Sequence, residues 1–94
     1  MPEPKAAFEY YQAETDVRTK LRLRAEAIEQ ERKERGWTQD AFVNLAGISK
    51  RRYQIALKET REGSFPNLGM NFLDGICNAL GWSITEAAEQ VVID

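Results

Sequence analysis

Three adjacent cations, Lys50-Arg51-Arg52, follow Ser49 in a stretch that reads as the start of a helix. Positive charge there opposes the helix dipole by about 0.3–1 kcal/mol per group, so an anionic partner is expected to compensate. Bond-making chemistry, by contrast, has no visible carrier. The chain has no histidine and a single cysteine, Cys77. That removes every Ser-His-Asp or Cys-His arrangement, the usual zinc ligand sets and any intramolecular disulfide. Asp40, Glu59, Glu62 and Asp74 form no recognisable acid pair or metal set, and Cys77, on an apolar stripe, reads as a small buried hydrophobe. No catalytic residue, metal or cofactor is expected.

The elements that must hold the cationic cluster belong to a short chain. Its 94 residues suit one domain, and 43% apolar with 30% charged residues suit a packed core under a solvated surface. No apolar run approaches the roughly 18–20 residues of a membrane span, and the start lacks a signal-peptide core, so a cytoplasmic protein with no membrane partner is expected. The net charge of −2 hides an asymmetry. Residues 1–16 set Lys5 against Glu3, Glu9, Glu14 and Asp16, and residues 62–94 hold five acids and no lysine or arginine. Residues 17–61 hold twelve basic side chains against six acidic ones, a net of +6. Screening confines attraction to about 8–10 Å, so a polyanion responds to this middle block rather than to the whole-chain sum. Arginine- and glutamate-rich helices are also commonly just solvated, and charge alone leaves both readings open.

Glycines at 36, 47, 63, 69 and 81, with Pro66, divide the chain into helical lengths, and the pattern predicts an all-α fold. Residues 5–12, with Phe8, Tyr10 and Tyr11, suit a short N-terminal stretch of helix, outside the count that follows, that closes over the domain's own core or pairs with a second copy. Val17, Leu21, Ala25 and Ile28 recur at spacings of four, four and three, predicting a helix over residues 16–35. Gly36 stops it. Thr38 caps the next helix, whose apolar face is Phe42, Leu45 and Ala46 and which ends at Gly47. Ser49 caps a third, running to about Glu59, with Tyr53, Ala56 and Leu57 inward. Phe72, Leu73, Ile76, Cys77 and Leu80 form a fourth apolar face ending at Gly81, and Ser83 with Glu86 makes a capping box for a last helix toward Val91 and Val92.

The run Gln39-Asp40-Ala41-Phe42-Val43-Asn44-Leu45-Ala46-Gly47-Ile48-Ser49-Lys50-Arg51-Arg52-Tyr53-Gln54-Ile55-Ala56 resembles the helix-turn-helix of the phage repressor and Cro (lambda-repressor-like) family. Gln39 opens the first helix, Phe42 takes the usual leucine position, Gly47 makes the turn, Ile48 follows it, Ser49 caps, and Tyr53 and Ala56 face inward. The likeness covers roughly residues 28–89. Val43 departs from it, standing where the family has alanine, and so does Glu31, where the family has an apolar residue.

The resemblance implies a bundle of about five helices with an extra N-terminal helix: a helical extension over residues 1–27 and a DNA-binding domain over 28–94, compact together. It also implies a sequence-specific regulator of transcription, a small repressor- or Cro-like protein whose helix 49–59 enters the major groove of double-stranded DNA. Carried over residue by residue, Lys50, Arg51 and Ile55 face base edges with Gln54 alongside. Arginine can pair with guanine O6 and N7, and isoleucine can touch a thymine methyl. Thr38, Gln39, Ser49, Arg52, Lys58 and Arg61 are placed for the phosphate backbone, Gln39 at the positive end of its helix. One short helix reads few base pairs, so a homodimer on a pseudo-palindromic site is expected. The alternative is an antitoxin or adaptor of the same fold acting mainly through protein–protein contacts, with the acidic C-terminal half as its partner surface. Activator and repressor are not separated by these residues.

Overall fold

A computed structural model describes residues 19–92. The helix expected over residues 5–12, with its aromatic residues, lies outside that range. The described chain is mostly helical: β1 (Thr19–Leu23), α1 (Ala25–Glu34), α2 (Gln39–Ala46), α3 (Lys50–Arg61), α4 (Met70–Leu80), α5 (Ile84–Ala87) and β2 (Ala88–Val92). The small antiparallel sheet corrects the all-α expectation at both ends.

β1 and β2 pair from Thr19 opposite Val92 to Leu23 opposite Ala88. The helix expected from residue 16 therefore begins only at Ala25. Its stripe used Leu21 and passed over Leu23. From Lys20 to Arg24 the chain alternates charged and apolar residues, and a period of two places Leu21 and Leu23 on one side of a strand. At the other end, α5 stops after about one turn because Ala88 is already extended (φ −147°, ψ 156°). The β-branched Val91 and Val92 then continue as strand rather than helix. Leu23, Ala25, Ala87 and Ala88 lie in the same core as the helices, and the Arg24 N–H donates to the Ala87 carbonyl at 2.9 Å.

The caps follow the sequence closely. The Thr38 hydroxyl accepts from the Ala41 N–H at 3.1 Å and the Ser49 hydroxyl from the Arg52 N–H at 3.2 Å. The Glu86 carboxylate accepts from the Ser83 N–H at 2.9 Å, completing the capping box. Gly47 ends α2 in the left-handed region (φ 68°), which lets α3 start only three residues later. Phe42, Tyr53, Ala56, Leu57, Phe72, Leu73, Ile76, Cys77 and Leu80 are buried. Leu45 is not: at 59% exposed it leaves the expected α2 face, and Val43 takes its place at 4%. Val43 and Leu45 flank the Phe42–Ala46 stripe on opposite sides, and the core closes over the Val43 side alone. Helices α2 and α4 meet at Gly75, where a Cβ would lie 2.2 Å from the Ala46 carbonyl oxygen. No helix among the described residues is long and apolar enough to cross a membrane.

Candidate functional site

The predicted site residues lie on α2, the three-residue turn and α3. Helix α3 carries Lys50, Arg51, Arg52, Lys58 and Arg61 against Glu59 alone. Lys50, Arg51, Gln54, Ile55 and Lys58 are all exposed. Spacings of three and four residues put them on one side of the helix, opposite the buried Tyr53, Ala56 and Leu57. Ile55 is a large apolar side chain 44% exposed in the middle of this charged surface. Gln39 reaches the same surface from α2: with Gln54, Leu57, Lys58 and Arg61 it lines a shallow groove.

The basic side chains differ in how they are held. Lys50 Nζ pairs with Asp40 Oδ1 at 3.0 Å across the turn. Arg52 turns away, donating from Nη2 to the Asn67 carbonyl at 3.1 Å, with its guanidinium 5.3 Å from the Phe72 ring centre. Arg61 lines the groove but bonds Glu26 Oε1 at 2.7 Å, which raises its already high pKa. The Arg51 and Lys58 side chains have no hydrogen bond or ion pair among the described residues. The hydroxyls of Thr38 and Ser49 are engaged as caps. Gln39, Lys50, Arg51, Gln54, Ile55 and Lys58 therefore share one open face, while Arg52 and Arg61 are turned to its two flanks.

Behind this face lies a polar cluster that the sequence reading did not single out. Glu29 and Arg32 are 5% and 8% exposed, and Arg32 donates to Glu29 from Nε (2.9 Å) and Nη2 (3.0 Å). Arg32 Nη1 donates to the Trp37 carbonyl at 2.6 Å, and the Tyr53 hydroxyl donates to Glu29 Oε2 at 2.6 Å. Burial alone would raise the Glu29 pKa. The bonds from Arg32 and Tyr53, with the Arg32 charge, outweigh it and bring the carboxyl down to about 2. The same burial, with the Glu29 anion beside it, pushes the Tyr53 hydroxyl far up. A signal was present in the spacing: Ala25, Ile28, Glu29 and Arg32 fall at intervals of three, one and three, the inward stripe of a helix. An acid and a base on that stripe, three residues apart, mark a buried pair.

Chemically, this face offers cations, amide donors and acceptors, and one apolar contact. Cys77 is buried, and burial, with Asp74 and Glu86 nearby, raises its thiol pKa, the opposite of a reactive thiolate. Searches of protein-family models, of curated proteins and of solved structures each found no match to this chain.

Proposed function

We propose that this chain is a sequence-specific double-stranded DNA-binding regulator of transcription, with α2, the turn and α3 acting as a helix-turn-helix and α3 lying in the major groove. The observation that carries this reading is the outward side of α3. Lys50, Arg51, Gln54, Ile55 and Lys58 lie exposed together, and the Arg51 and Lys58 cations have no partner among the described residues. A major groove about 12 Å wide admits a helix, and a helix of this composition has donors for base edges and phosphates and an apolar group for a thymine methyl. Arg51 and Lys50 read bases, with Gln54 and Ile55 one turn further along. Lys58 and the backbone N–H groups that follow Thr38 and Ser49, that of Gln39 included, hold phosphates. Arg52 and Arg61 reach phosphates at the flanks by releasing Asn67 and Glu26.

A homodimer on two half-sites about 34–36 Å apart would supply the specificity that one short helix lacks. Occupancy of the site would block transcription sterically, as in a small repressor or Cro-like protein of the lambda-repressor-like family. Selection from a randomised duplex pool tests the reading. A two-fold symmetric site should emerge, and Arg51→Ala should relax one base position in each half. A bound fraction no different from the input pool would refute sequence-specific recognition.

A further inference from the structure

A continuous polar chain runs from the core to the proposed reading surface. The two oxygens of Glu29 accept four hydrogen bonds: from Arg32 Nε and Nη2, from the Tyr53 hydroxyl, and from Gln39 Nε2 at 3.3 Å. An ionised carboxylate only accepts, so Gln39 must turn its amide nitrogen inward and its carbonyl outward. That carbonyl accepts from Gln54 Nε2 at 3.1 Å. The Gln54 nitrogen is thereby drawn toward Gln39. Its own carbonyl, unbonded among the described residues, is left outward beside the one remaining N–H.

We propose that Glu29, acting through Gln39, fixes the polarity of the Gln54 amide and makes Gln54 an adenine-selecting contact; this rests on the duplex-DNA reading above. In the major groove adenine presents an N6 amino donor beside the N7 acceptor, the complement of the carbonyl and N–H that Gln54 has left. Guanine presents two acceptors, O6 and N7, and needs two donors, one of which Gln39 has already taken. A free glutamine can exchange the two ends of its amide by rotation about its last torsion. Here the exchange would set the Gln54 carbonyl against the Gln39 carbonyl. Rotating Gln39 as well would set its carbonyl against the Glu29 carboxylate. Each move replaces a hydrogen bond with two facing acceptors, so a buried anion that never touches DNA dictates which base edge Gln54 fits. Glu29 and Gln39 are positioning residues, and neither needs to contact the base.

The test compares wild type, Gln54→Ala and Gln39→Met in selection from a randomised duplex pool. Kd is then measured on the selected site with the assigned adenine replaced by guanine and by purine, which lacks the N6 amino group. Wild type should prefer adenine by about tenfold or more over both replacements. Gln54→Ala should abolish that preference, and Gln39→Met should bring adenine and guanine near parity while base preferences at the Arg51 position persist. Glu29→Gln, which can donate as well as accept, should relax the same position. It also disturbs the core, so Gln39→Met is the deciding variant. A uniform loss of affinity in Gln39→Met with the adenine preference intact overturns the inference, as does wild-type binding with no adenine preference. If wild type binds no duplex at all, the reading of the site falls and takes this inference with it.

Discussion

On its inner side α3 carries Tyr53, whose hydroxyl donates to a carboxylate already bonded by Arg32 and Gln39. On its outer side it carries Arg51 and Lys58, whose charged groups have no partner among the described residues. The contrast follows from solvation. A charge withdrawn from water costs several kcal/mol unless it is paired and its lone pairs are filled, so Glu29 and Arg32 are bonded on every side. An exposed cation is stabilised by water and needs no partner to fold. Three cations at the start of a helix still oppose its dipole; Lys50 is met by Asp40 and Arg52 by the Asn67 carbonyl, and on the proposed reading nucleic acid meets Arg51. The inner cluster serves the fold, the outer one is proposed to serve recognition, and Gln39 bonded to Gln54 joins the two.

The largest break in this contrast comes from Glu29→Ala. It leaves Arg32 buried with one bond to the Trp37 carbonyl, and urea unfolding should show a loss of about 3–5 kcal/mol. A loss below about 1 kcal/mol would mean the inner pair is solvated like the outer cations. Acid acts on the same group. The folded pKa of Glu29 is lowered from 4.5 to about 2, so its stabilisation is fully present above about pH 4.5 and is lost as pH falls toward 2. The shift corresponds to about 3 kcal/mol. Urea midpoints at about pH 6 and about pH 3 should therefore differ more for wild type than for Glu29→Gln.

On the outer side the effects move from stability to binding. Arg51→Ala should weaken binding to a selected duplex by about 1–3 kcal/mol. Its unfolding free energy should stay within about 0.5 kcal/mol of wild type, as expected of an exposed side chain with no partner. Stability loss without binding loss would reverse the assignment of the two sides. The smallest effect is expected from Asp40→Asn, which releases Lys50 from an exposed ion pair and removes an anion beside the proposed phosphates. Fluorescence anisotropy with duplex should show tighter binding by about 0.2–1 kcal/mol, shrinking as salt is raised.

How far the sequence could be read follows the range of the interactions involved. Helices α2, α3 and α4, with the caps at Thr38, Gly47, Ser49 and Gly81, were legible because those four residues act one turn away, whereas the α3 end at Arg61 and the α4 start after Gly69 carry no such local signal. The open face of α3 was legible for the same reason, since helical spacing alone groups Lys50, Arg51, Gln54 and Ile55. The sheet was not, because Thr19–Leu23 finds its partner in Ala88–Val92 at the far end of the chain, and Leu21 fits a helical stripe as well as a strand. Nor was the bond between Tyr53 and Glu29, 24 residues apart, although the inward spacing of Glu29 and Arg32 announced a buried pair. The turning of Arg52 to Asn67 and of Arg61 to Glu26 depends on how the loop after α3 and the start of α1 pack, which no local pattern encodes.

The central proposal, that the exposed face of α3 meets the phosphates and bases of duplex DNA, is tested most directly by a salt titration of binding to random duplex. Release of counterions should make log K fall linearly with log salt, with a slope near −0.9 per phosphate contact, and Lys58→Ala should flatten that slope by about one contact. No binding at about 50 mM salt, or binding whose strength does not respond to salt, would contradict the account.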